Sequence, residues 1–195
     1  NQEGGGQTSV SGLVYFFLYG QLNNQFRHKY LSGSWKDSFL SKTAVRLLEW
    51  YRKPYEQAVA KSRHFDSSTS IYDIANEAKK YLSLGHEAGE GWFLTGDMID
   101  LIHRGAKNIV CLQPWACLPN HITGKGMIKT LKAAFPETNI VAIDYDPSAS
   151  SVNQTNRLKL MLTTTFEGIR EPVQEDAKPV LPFMSGVRIN SSLEK

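Results

Sequence analysis

The sequence predicts an α/β fold, a parallel sheet with flanking helices and a helix-rich N-terminal half. Three observations lead there. Asn108 to Leu112 (NIVCL) and Asn139 to Asp146 (NIVAIDYD) are short, rich in β-branched residues and read as buried strands. Between them, Lys125 to Phe135 carries Met127, Ile128, Leu131 and Ala134 at helical spacing. One helix between two strands is a βαβ crossover, which favours parallel pairing. Upstream, three segments between Leu40 and Arg104 repeat apolar residues with a helical period.

Taken in order, the opening Asn1 to Ser9 is polar and Gly-rich, so residues 1–10 are expected to form a flexible tail. Leu13 to Tyr19 (LVYFFLY) is too short to settle its own period and suits a third strand or a buried helical segment. Leu40 to Lys61 reads as a long helix with Ala44, Leu48, Tyr51, Tyr55 and Val59 inward. Lys42, Arg46, Arg52, Lys53 and Lys61 fill its other face. Pro54 leaves open a division into two helices. Ser70 to Leu82 predicts a second helix, with Ile71, Ile74, Ala75, Ala78 and Tyr81 inward. Glu87 to Arg104 predicts a third, ended by Gly105. After the second strand, Pro147 and Ser148 are helix-start residues, and the helix runs to about Leu162 with Val152, Leu158 and Met161 inward. Past Glu171 the segments VLPFM and VRI are weak strand candidates.

With 195 residues, 41% of them hydrophobic, the chain can bury a sizeable core. Residues 11–190 are expected to form a single α/β domain, a fragment of a larger protein. The net charge of +3 is too mild for a dedicated nucleic-acid surface. No apolar run approaches a membrane span. Two cysteines are too few for a secreted disulfide scaffold, so a reducing cytoplasm is expected.

Ligands of open α/β sheets gather at the carboxyl ends of the strands. The loop there holds Cys111, Gln113, Trp115, Cys117, Asn120, His121, Thr123, Gly124, Lys125 and Gly126. Thiolates suit iron or zinc. Gly124, Lys125 and Gly126, read at a helix start, offer free backbone N–H groups and a positive charge to a phosphate or carboxylate. The pattern is not a Walker A loop, and two cysteines alone cannot complete a four-cysteine cluster site. Each residue also has an ordinary reading: Cys111 and Cys117 as packed thiols, His121 bonded to a loop carbonyl, Lys125 as a solvated charge. At the end of the second strand, Asp144 and Asp146 point the same way in an extended segment and suit a cation or ligand hydroxyls. Asp146 equally suits a helix cap. No GxSxG elbow of a serine hydrolase is present.

From Gly89 to Leu162, and most closely in QPWACLPNHITGKGM and IDYDPSAS, the chain resembles the C-terminal part of the acyl-CoA dehydratase activase-related proteins. The resemblance implies an iron–sulfur-associated redox module of an ATP-coupled acyl-CoA dehydratase-activating or reductase system. It implies electron transfer through a [4Fe-4S] cluster in the full-length protein, with Cys111, Cys117 or both as ligands. It further implies partners among the other domains or subunits of that system. His121, Lys125 and Asp144 match polar positions of the family without an assigned role. The chain departs from the family in having no activase-type ATPase motif and no further cysteine. An isolated chain is therefore expected to carry no cluster. Two other readings stand beside this one. In the first, the chain is a non-catalytic scaffold or interaction domain docking through the basic helix at residues 40–63; this predicts buried thiols and a large exposed apolar patch. In the second, Gly124, Lys125, Gly126 and Asp144 border a pocket for an acyl-CoA or phosphate-like ligand. Neither nucleic acid nor membrane is an expected partner.

Overall fold

The computed structural model describes residues 8–61, 69–145 and 150–170. The expected VLPFM and VRI strands, the Asp146 cap, the Pro147–Ser148 helix start and most of the N-terminal tail lie outside the described residues. The fold is α/β: six helices and a two-stranded parallel sheet among the described residues.

Leu13–Tyr30 forms helix α1. Tyr15, Leu18, Tyr19 and Leu22 are buried at spacings of three and four, whereas Leu13, Phe16 and Phe17 stay exposed. That period resolves LVYFFLY as helix rather than strand. Trp35–Val59 forms α2 as one helix that continues through Pro54. Ser34 caps it by accepting from the Lys36 N–H. Ile71–Ala78 forms α3, capped by Ser70, and Gly91–His103 forms α4. Gly105, at φ 92, ends the α4 segment as its residue type predicts.

α4 is the spine of the molecule. Its N-terminal half carries Trp92, fully buried in a cluster with Leu18, Tyr19, Leu22, Val45, Ile71 and Ile74. The Trp92 indole donates to Asn23 Oδ1 at 2.8 Å, so burial leaves its N–H satisfied. Its C-terminal half places Met98 and Ile99 in a second cluster with Ile109, Cys111, Leu131 and Ile140. Gly96 lies between the halves, where a Cβ would stand 2.8 Å from Ile74 Cγ2 and 3.1 Å from Ile74 O. The absent side chain is what lets α3 approach α4.

The strands are Asn108–Pro114 (β1) and Asn139–Tyr145 (β2), paired in parallel from Asn108↔Asn139 to Pro114↔Tyr145. Ile128–Ala134 is α5, the crossover helix. Helical backbone begins well before it, at Leu118, and passes through a π-turn at Asn120–Gly124 and a 3-10 turn at Lys125–Met127. Ser151–Arg170 is α6, longer than its sequence pattern predicts. Of its expected inward residues, Met161 is buried but Val152 and Leu158 are exposed. Polar contacts hold it along β2 instead: Arg157 Nη1 donates to Ala142 O at 2.8 Å and Gln154 Nε2 to Asp144 O at 3.1 Å. Among the described residues no helix is long and apolar enough to cross a membrane.

The inward face of α2 also differs from expectation. Ser41 and Val45 are its buried residues, while Tyr51 and Tyr55 of the predicted apolar stripe are exposed. Polar bonding accounts for this. Ser41 Oγ accepts from Asn24 Nδ2 at 3.0 Å and donates to Gln21 Oε1 at 3.3 Å, joining α2 to α1. Glu49 accepts from Ser70 Oγ at 2.9 Å. Arg52, expected on the basic outer face, pairs with Glu56 at 2.6 Å and lies over the Tyr15 ring.

Candidate functional site

The carboxyl ends of β1 and β2 bring together several of the residues singled out in the sequence. Alternation along β1 turns Ile109, Cys111 and Gln113 to the buried face. Cys111 sits in the apolar cluster of the sheet, and Gln113 Nε2 donates to its Sγ at 3.0 Å. Burial pushes the Cys111 thiol up in pKa, against a smaller lowering by the Gln113 bond. Cys111 is thus held as a neutral thiol. Gln113 is itself fully buried, and its Oε1 has no hydrogen-bond partner among the described residues.

Gly124 closes over this pair. A Cβ there would lie 3.1 Å from Cys111 Sγ and 3.4 Å from Gln113 Nε2. The π-turn is stitched down by polar side chains. Thr95 Oγ1 donates to Thr123 O, Thr123 Oγ1 donates to Pro119 O at 2.8 Å, and Asn120 Nδ2 donates to Leu112 O at 2.9 Å. Thr95, Asn120 and Thr123 are all buried. Asn120 thus ties the π-turn to β1 and Thr95 ties it to α4, while the Thr123 hydroxyl bonds within the helical run itself.

Cys117 occupies different surroundings. It follows a turn in which Ala116 adopts φ 56, the left-handed region that a Cβ disfavours. Its carbonyl accepts from the His121 N–H at 3.2 Å, placing Cys117 at the true start of the helical run. Its S–H donates to Asn120 Oδ1 at 3.0 Å. Both cysteines are free. Cys111 faces the core and Cys117 the loop, and His121 is exposed. Among the described residues no three His, Cys, Asp or Glu side chains converge as metal ligands.

Lys125 and Asp144 do meet. Nζ lies 3.6 Å from Oδ1, with both side chains 45% exposed. So exposed a pair contributes about 0–1 kcal/mol. Gly124 and Lys125 do not start a helix as the sequence suggested, because the helical run already begins at Leu118. The Lys125 N–H bonds back to Asn120 O and His121 O and is not free for a ligand. Asp144 also borders an open cavity of about 500 Å³ shared with Ser150, Asn153, Gln154 and Arg157.

Gln113, Asn120 and Thr123 stood in the candidate loop, but their role as a buried polar stitch was not read from it. The Pro- and Gly-containing run from Gln113 to Gly124 reads as a loop and hides the π-turn. Gln154 and Arg157 were missed because nothing local marks a side chain that caps a strand's carbonyls. Compared with protein-family models, with curated proteins and with solved structures, the chain matches none.

Proposed function

We propose that this chain is an interaction domain of a larger iron–sulfur redox protein rather than the part that itself encloses a cluster. The observation that carries this reading is the outward face of α2. Trp35, Phe39, Leu47, Trp50, Tyr51 and Tyr55 are each between 61% and 77% exposed. Removing one such side chain from water stabilises a complex by about 1.5–3 kcal/mol, so leaving six of them solvated on one helix is costly without a partner. Leu13, Phe16 and Phe17 of α1 are also exposed, near the end of α2 where Arg52 lies over Tyr15 of α1. The burial of Cys111 among apolar side chains supports the same reading.

The iron–sulfur part of the proposal rests on the resemblance of Gly89 to Leu162. Within it, Cys117 is the thiol on the solvent side and Cys111 a core residue. Oxidative footprinting of Trp35 and Trp50 tests the docking role. Full labelling of this chain alone with protection in the longer polypeptide supports it; equal labelling in both sinks it. Iron and acid-labile sulfide, measured in the longer polypeptide purified without oxygen, test the redox role. Loss of iron in Cys117→Ser alone is the expected result, and iron unchanged by either cysteine substitution ends that role.

A further inference from the structure

We infer that the partner of α2 is an acidic amphipathic helix laid along its exposed face. This rests on the docking role proposed above and adds the chemistry of what docks. Lys36, Leu40, Thr43, Leu47, Trp50 and Pro54 are all exposed and recur at alternating spacings of four and three. That is the geometry of a helix–helix seam. Phe39, Arg46 and Lys53, one heptad apart, border one side of the seam; Asp37, Ala44 and Tyr51 border the other.

The exposed charges of α2 are mostly basic, with Asp37 in its first turn as the one exposed acid. α2 has three acidic residues, Asp37, Glu49 and Glu56, and Glu49 and Glu56 turn inward to Ser70 and Arg52. Lys36, Lys42, Arg46 and Lys53 are exposed and make no ion pair among the described residues. Flanking charges of a helix seam select the opposite sign on the partner. Acidic residues opposite Arg46 and Lys53, with apolar residues meeting Leu40, Leu47 and Trp50, satisfy both requirements.

Other occupants fit less well. An antiparallel second copy crossing at Leu47 sets Arg46 against its own counterpart, and a parallel copy sets Lys36 against Lys36. A membrane-lying helix keeps its charges off the inserted face. Here Lys36 and Thr43 sit within the apolar stripe, and the inward polar residues are already engaged.

The test is fluorescence anisotropy of the chain with two labelled three-heptad peptides that share a Leu seam and carry either Glu or Lys on both flanks. Phosphatidylglycerol vesicles and sedimentation of the protein alone complete it. The Glu peptide should bind and the Lys peptide should not. Arg46→Glu with Lys53→Glu should weaken the Glu peptide about tenfold or more and admit the Lys peptide. Leu47→Asp should abolish binding while circular dichroism stays unchanged, because Leu47 is on the surface. Equal binding of both peptides, binding of neither, or a Leu47-dependent association confined to vesicles or to a second copy overturns the acidic-helix assignment. Protection of Trp50 in the longer polypeptide would then still uphold docking, so the two failures are separable.

Discussion

Helices α4 and α2 invert the usual relation between length and burial. α4 has 13 residues, of which eight are buried, including Trp92, Met98 and Ile99. α2 has 25 residues, of which Ser41 and Val45 are buried. Both helices contain tryptophan, and both repeat apolar residues with a helical period in sequence. The difference is in what surrounds them. α4 runs between two apolar clusters and is contacted on several sides, whereas α2 meets α1 through Ser41 and Arg52 and the α3 cap Ser70 through Glu49, with Val45 alone of its apolar side chains buried. An apolar residue on a helix is therefore not evidence of core until the neighbour that covers it is known.

The largest test of that comparison sets one tryptophan against the other. Trp92→Ala removes a fully buried ring and its bond to Asn23, and should cost about 3–5 kcal/mol of unfolding free energy. Trp50→Ala should stay within about 0.5 kcal/mol of the parent. Equal losses in denaturant titrations would mean that α2 is covered within this chain. Next in size, Gly96→Ala should cost about 2–3 kcal/mol, because its Cβ meets Ile74 backbone and side chain at the α3–α4 crossing. A neutral outcome would show α4 less tightly held than its burial implies.

The smallest effects separate the thiols. Cys111→Ser exchanges a buried thiol for a hydroxyl and should cost about 1–2 kcal/mol, while Cys117→Ser should change stability little. An alkylating reagent should label Cys117 first. The pH dependence has a definite sign. Burial raises Cys111 above its usual 9.0 and pushes Tyr19 up to about 12, so the folded state holds both protons more tightly than the unfolded chain. Their contribution is complete below pH 9 and falls as pH rises through the folded-state values. Stability should therefore decline above pH 9, with a shallower decline in Cys111→Ala. An unchanged slope in that variant would show that Cys111 is not the group involved.

The second half of the chain was the more legible. β1, β2 and the crossover helix stand where their β-branched runs and helical spacing put them, and Gly105 ends α4 as a glycine should. The N-cap residues Ser34 and Ser70 work locally, through bonds two residues away. Boundaries slipped where the backbone departs from a regular period, as at the π-turn that carries helix from Leu118 into the supposed loop. The candidate site was legible as a neighbourhood, since Gln113, Gly124, Lys125 and Asp144 do gather at the strand ends. It was not legible as chemistry, because whether a thiol faces core or solvent depends on which groups fold over it.

Local sequence alone determined the two strands, most of the helices, the parallel pairing and the clustering of polar residues at one sheet end, because these follow from periods and caps a few residues long; it left Leu13–Tyr19 open and read Leu118–Gly124 as loop. Tertiary structure decided which face of α2 is turned inward, that Cys111 is a neutral core thiol, and that Lys125 meets Asp144. Those outcomes depend on contacts between residues far apart in the chain, and a polar bond from α1 or a glycine lid from the π-turn leaves no trace in the local pattern.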